Sequence, residues 1–257
     1  MTDPGAPGES LLTCSGLTVR HGGHVVVSDV DLTVGHGEVV GLIGANGAGK
    51  TTTIDAISGF VAHEGRVALE GVDLAHEPPH RRARAGIGRT WQGVELFDDL
   101  TVGQNCRLST PHGGWRGVVA DLFGRPVSPD VTAVVDGALN AVGLAHLADR
   151  RPSDLSNGQQ KLVGVARALA ARPRVLLADE PAAGLDDVER VEFGRALRAA
   201  VASDGVGVLI VDHDTRLIFD ICDRVYVLDF GAVVAVGTAA EVRASPAVIE
   251  AYLGVAT

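Results

Sequence analysis

Nine consecutive residues, Gly44-Ala45-Asn46-Gly47-Ala48-Gly49-Lys50-Thr51-Thr52, gather three glycines, a lysine and two hydroxyls. The glycines let a backbone wrap a polyphosphate with its N–H groups turned inward, and a helix starting at the lysine adds a favourable dipole. The spacing fits G-x-x-x-x-G-K-[ST], with an apolar run "GEVVGLIG" before it and a helical stretch "KTTTIDAISGF" after it. Lys50 is expected on the β and γ oxygens and Thr51 on Mg²⁺, with Gly44, Asn46, Gly47, Gly49 and Thr52 completing the nucleotide contacts.

A phosphate loop of this kind needs an acidic partner, and "RVLLADEP" supplies one. Asp179 ends an apolar run and is expected to hold the magnesium through water. Glu180, the next residue, is placed to accept a proton from an attacking water. Nucleotide hydrolysis follows as the expected chemistry. Further along the chain than the loop, "LSNGQQK" at 155–161 reads as a second polar, glycine-bearing helix start of the kind that binds anions.

The elements that must position these residues are legible in outline. Two strands, 11–20 and 24–34, flank a turn at His21-Gly22-Gly23, and "GRVALEG" at 65–71 reads as another strand. From about 78 to 170 Pro and Gly punctuate shorter helical pieces, among them 132–147 with helical apolar spacing. After 171 strands and helices alternate: strand 174–179, helix 187–203, strand 205–213, helix 215–223, strands 224–230 and 232–237, and a helix near 246–252. Continuous apolar runs such as "VLLAD" and "GVLIV" suit strands buried on both faces of a mainly parallel sheet.

Composition sets the bounds. With 257 residues and 46% apolar content the chain has material for a sizeable core, and a net charge of −10 disfavours nucleic acid and anionic lipid as partners. Only Lys50 and Lys161 are lysines, against 20 arginines. Cys14, Cys106 and Cys222 form no C-x-x-C pair, which suits a reducing compartment and neither disulfides nor a zinc site. The start "MTDPGAPGES" lacks the apolar segment of a signal peptide, and no run of about 18 apolar residues offers a membrane span. A cytoplasmic α/β protein is expected.

The motifs, in this order, resemble those of ABC-type ATPases. Leu155-Ser156-Asn157-Gly158-Gln159 is similar to their signature, usually LSGGQ; Gln92 in "RTWQGVELF" resembles the Q-loop, "ADEPAAGLD" Walker B with the D-loop, and His213 in "IVDHD" the switch histidine. The resemblance runs from about residue 10 to the C-terminus. It implies an α/β P-loop NTPase with a RecA-like, mainly parallel sheet, an antiparallel β subdomain and an inserted α-helical signature subdomain. A tail at 1–10 would precede a domain at 11–257, with the core and β subdomain about 11–91 and 172–257 and the helical subdomain about 92–171.

The resemblance also implies a division of labour between two chains. Two copies, or this chain and a second ABC ATPase, pack head to tail. Ser156, Gly158 and Gln159 of one then serve the ATP held by the phosphate loop of the other, and Asp186 crosses the interface. Gln92 contacts the magnesium or attacking water, His213 the γ-phosphate, and His21 takes the adenine where relatives carry a larger ring. Asn157 stands where Gly is usual, and a residue tolerant of left-handed backbone is acceptable there; Ala45 stands where relatives often have Pro, which should matter little.

"RTWQGVELFDDLTVGQN", "LSNGQQK", "DEPAAGLD", the terminal "VIEAYLG" and the 109–131 insert resemble the ATPases of branched-chain amino-acid importers and of related urea or short-amide importers. That resemblance implies membrane permeases docked on residues 93–131, with Trp115, Leu122 and Phe123 as contact or core residues. It also implies a solute-binding protein acting indirectly and attachment to the inner face of the cell membrane. A non-transport ABC ATPase is the other class; the chain has neither the long coiled coils nor the paired ATPase domains usual there. No guanine-reading N-K-x-D occurs, which disfavours a GTPase.

Overall fold

The structure is a computed structural model that describes residues 10–90, 93, 96–110, 128–245 and 248. Two sheets organise it. A hairpin of β1 (Ser10–His21) and β2 (His24–Gly35) joins β4 (Glu64–Leu69) and the short β5 (Val72–Asp73) in an antiparallel sheet of order β2-β1-β4-β5. The second sheet has the order β10-β9-β3-β8-β7-β6, formed by β3 (Val39–Gly44), β6 (Ile87–Thr90), β7 (Val175–Asp179), β8 (Gly207–Val211), β9 (Arg224–Asp229) and β10 (Ala232–Gly237). All its pairings are parallel except β9 with β10.

The helices described are α1 (Lys50–Ser58), α2 (Pro79–Ala85), α3 (Val102–Arg107), α4 (Pro129–Ala141), α5 (Asn157–Ala170), α6 (Asp187–Asp204), α7 (Thr215–Ile221) and α8 (Ala239–Ala244), with α3 and α4 packed on each other and on α5. Every residue of β3, β7 and β8 is buried. Successive residues feed opposite cores, as the two-residue period of a strand requires. Val39, Ile43, Leu176, Ala178, Val208 and Ile210 pack with apolar residues of α5, α6 and α7. Val40, Leu42, Val175, Leu177, Leu209 and Val211 pack with α1 and the hairpin. Phe193 is among the largest fully buried side chains, and its truncation to Ala would cost about 3–5 kcal/mol.

Most expected elements are present, with shifted ends. The helical spacing read over 132–147 begins at Pro129 and stops at Ala141, because Gly143 turns left-handed at φ +74° and only a short 3₁₀ turn, Ala145–Leu147, follows. Ser10, assigned to the tail, is the first residue of β1. α2 and α3 fall among the shorter helical pieces expected from about 78 to 170, whereas β5, β6 and α8 are not among the expected elements. The helix expected near 246–252 lies, apart from Val248, outside the described residues.

The three cysteines are buried and free. Burial pushes the thiols of Cys14 and Cys106 up to about 12 and that of Cys222 up as well, so they are unreactive core groups. Among the described residues no helix is long and apolar enough to cross a membrane.

Candidate functional site

The phosphate loop leaves the buried end of β3 and enters α1. A side chain at Gly44 would put Cβ 2.4 Å from the Leu228 carbonyl oxygen, so the loop can leave the sheet there only as glycine. Gly49, at φ +100°, caps α1, and its missing Cβ would lie 2.8 Å from the Val26 oxygen of β2. No side chain caps this helix and no acidic residue stands in its first turn, so its N-terminal amides carry an unopposed positive potential. Asn46, Gly47 and Thr51 are exposed and Thr52 is half-buried. Lys50 is buried, its Nζ donating to the Gly44 and Ala45 carbonyls at 2.7 and 3.1 Å. Burial draws its pKa down, against the pull of Glu180, Asp179 and Asp212 upward, which places all three carboxylates on the lysine side of the loop.

Asp179 and Glu180 follow at the end of β7. Asp179 is buried and accepts from Arg89 Nη2 at 3.2 Å. The same guanidinium donates to Asp55 of α1 at 2.6 Å and to Ser58 Oγ at 3.0 Å. Burial raises the Asp179 pKa and Arg89 opposes that rise. Arg89 on β6 therefore ties the strand end to the helix that follows the phosphate loop. It is a site residue missed in the sequence, where its only signal was a position three residues before Gln92.

Glu180 adopts φ +45°, an uncommon backbone state for a side chain of its size, while its N–H donates to the Val211 oxygen at 2.7 Å. That bond aims residue 180 at the end of β8. There His213, 61% exposed, holds Nδ1 3.9 Å from Glu180 Oε2 and 3.6 Å from Asp212 Oδ1. Asp212 was also missed: the sequence showed only an acid beside the histidine, with no sign that it is buried.

The second helix start is built differently. Ser156 caps α5 by accepting from the Gln159 N–H, and Gln159 returns the bond to the Ser156 N–H at 3.0 Å. The Gly158 N–H donates to Glu189 Oε1 at 3.1 Å. Asn157 is helical and makes no use of its tolerance of left-handed backbone; its side chain donates to the Gly184 oxygen at 3.1 Å. Asp186 caps α6 through the amides of Val188 and Glu189. Among the described residues no hydrogen bond or ion pair joins residues 155–160 to the phosphate loop.

The structure thus gathers Lys50, Asp179, Glu180 and His213 at one end of the sheet, and keeps Ser156, Gly158 and Gln159 in a separate group with Glu189. His21 is exposed at the tip of the hairpin whose second strand lies against Gly49. Gln92, Trp115, Leu122 and Phe123 lie outside the described residues. A crevice of about 260 Å³ opens between β6 and α5, lined by Arg89, Gly93, Phe97, Lys161 and Arg167 among others. The donors for a magnesium ion fit: the Thr51 hydroxyl at the first turn of α1 and the Asp179 carboxylate are hard oxygen ligands.

A glycine loop between a buried parallel strand and an uncapped helix, beside an Asp-Glu pair on a neighbouring strand, defines a P-loop nucleotide-binding protein. More narrowly, the chain belongs to the ABC transporter family of ATPases, whose profile matches residues 27–183. A second profile, branched-chain amino acid ATP-binding cassette transporter, matches residues 232–257.

The chain is 38% identical over 250 residues to the high-affinity branched-chain amino acid transport ATP-binding protein BraF of Pseudomonas aeruginosa, covering 95% of this chain and 98% of the relative. It is 35% identical over 246 residues to the lipopolysaccharide export ATP-binding protein LptB of Haemophilus influenzae, covering 95% and 98%. A solved ABC-transporter cassette in its ADP conformation superposes with a TM-score of 0.83 at 29% identity, over 95% of this chain and 99% of that one. The chain is thus an ATP-binding subunit homologous to branched-chain amino-acid importer ATPases. Lipopolysaccharide export is a cargo class the sequence reading did not weigh.

Proposed function

We propose that this chain hydrolyses MgATP at a head-to-tail dimer interface and thereby drives uptake of branched-chain or other hydrophobic amino acids through partner permeases. The observation that carries the cargo is the match of residues 232–257 to the branched-chain cassette profile, beside the likeness to BraF. Nucleotide binding itself follows from the family. The finer assignments, with permeases, a second ATPase or second copy, an indirect solute-binding protein and attachment at the inner face of the membrane, belong to this reading.

In it, the uncapped start of α1 and Lys50 take the phosphates. Thr51, Asp179 and Gln92 hold the magnesium ion, which neutralises charge on the phosphate oxygens when bound. Arg89 keeps Asp179 at the strand end, and Glu180, aimed by its left-handed backbone, takes the proton of the attacking water. His213 reaches the γ-phosphate from the end of β8, and His21 takes the adenine. Ser156, Gly158 and Gln159 close on the nucleotide of the partner chain, with Asp186 at the interface. Within the helical part, residues 93–131 carry the permease-facing surface, a reading supported by the crevice beside exposed Phe97.

The test is solute uptake in cells lacking this chain, complemented with wild type or Glu180→Gln. Labelled leucine uptake restored by wild type alone is expected. Urea or short-amide uptake alone would keep the mechanism and change the cargo. The likeness to LptB favours a second reading, lipopolysaccharide export. Restored surface lipopolysaccharide with no solute uptake would establish that reading instead.

A further inference from the structure

Asp212 is 1% exposed, and no atom of the described residues hydrogen-bonds its Oδ2. Its Oδ1 accepts the Asp214 N–H at 2.9 Å, and the backbone of Ala182 stands close enough to favour the charged carboxylate. The group is therefore fixed in place, with one oxygen left over, behind an imidazole that is mostly in solvent. His213 Nδ1 stands 3.6 Å from Asp212 Oδ1 and 3.9 Å from Glu180 Oε2. Both separations exceed a hydrogen bond, and a turn of the exposed ring closes either one.

The two closures have opposite consequences. An Nδ1–H given to Glu180 takes up one of its acceptor sites and weakens it as a base for the attacking water. An Nδ1–H given to Asp212 leaves Glu180 available and directs Nε2 outward. A histidine whose rear nitrogen is held by a carboxylate has a fixed orientation and tautomer. The charged groups facing Asp212 are Glu180 after β7, His213 and Asp214 on its own turn, Lys50 of α1 and Lys161 of α5.

We propose that Asp212 is the positioning residue for His213, taking the Nδ1 side of the imidazole so that Nε2 faces the nucleotide and Glu180 stays available to water. The inference rests on the ATPase reading given above.

The experiment is a double-mutant cycle on the full chain, measuring MgATP hydrolysis, ATP binding and Tm for Asp212→Asn, His213→Ala and the pair. Asn keeps the shape and a neutral oxygen at the Oδ1 position for the Asp214 amide, but it removes the negative charge behind the imidazole and puts an NH₂ in place of Oδ2. Expected is a fall in kcat of about tenfold for Asp212→Asn. ATP affinity should stay within about twofold and Tm should not fall, and the change should cost nothing further once His213 is Ala. An equal fractional loss in the His213→Ala background would overturn the proposal, as would wild-type kcat or a lowered Tm accounting for the loss. Glu180→Gln serves as the separate control: if it hydrolyses ATP like wild type, the ATPase reading of the site fails, whatever the cycle shows.

Discussion

Two helix starts in this chain carry the residue types that bind phosphate, and they treat their amides in opposite ways. α1 begins on a left-handed glycine with no side-chain cap and no acid in its first turn. α5 begins with a complete capping box, and its Gly158 N–H is given to Glu189. The first is an anion site as it stands. The second is satisfied within the chain, so a phosphate arriving there must compete with a carboxylate already in place. In the dimer proposed above, a loop that binds nucleotide within its own chain and a surface that meets it only on closure would call for this difference.

The largest expected effect comes from leaving both starts intact and removing the chemistry between them. Glu180→Gln should lower kcat by about 10²- to 10⁴-fold. It should also convert the protein, with MgATP, to a dimer held by α1 of one copy and α5 of the other. Sedimentation of the permease-bound form with and without MgATP checks this; a monomer with ATP demonstrably bound would break the pairing of the two starts.

Removing the cap tests the second start alone. Ser156→Ala should cost about 1 kcal/mol in stability, read by denaturant unfolding. Placed in Glu180→Gln, it should also weaken the ATP-dependent dimer. Lost stability with an unchanged dimer would leave Ser156 a cap only.

A smaller change should sharpen the contrast. Glu189→Gln weakens the hold on the Gly158 amide and should tighten the ATP-dependent dimer by about threefold, since a neutral acceptor gives up a backbone N–H more readily than a charged one. A weaker dimer would mean that Glu189 shapes the surface and does not compete for it.

The smallest expected effect is in pH dependence. Burial raises the pKa of Asp212, so the folded state binds the proton more tightly than the unfolded one and loses stability as pH climbs from the usual aspartate value through the raised one. Asp212→Asn lacks that decline. The Tm difference, variant minus wild type, should therefore grow on going from about pH 4 toward neutral. A constant difference across that range would show that Asp212 titrates alike in both states.

The phosphate loop, the Asp179-Glu180 pair and α5 were legible because local chemistry specifies them: glycines at fixed spacing, an acid ending an apolar run, a cap before a helical stripe. What escaped notice depends on residues far apart in the chain. β6 is four residues of mixed polarity, Ile87-Gly88-Arg89-Thr90, and is a strand only because β7 pairs with it. Arg89 acquires its place from Asp55 and Asp179, one on each side of it in sequence. Asp212 looks like a surface acid until β8 carries it into the core. Asn157 was read through its tolerance of left-handed backbone, whereas its helical position uses the reach of its amide to Gly184.

β3 lies between β8 and β9, and the Gly231 N–H donates to the Ala48 oxygen at 3.1 Å. The loop encoded early in the chain is therefore braced on both sides by segments more than 150 residues further along it. During vectorial synthesis the motif leaves the ribosome long before its walls do. A nascent chain stalled before residue 207 carries every residue of the loop and neither strand that flanks β3, so a loop held on both sides is expected only once β8 and β9 have been made.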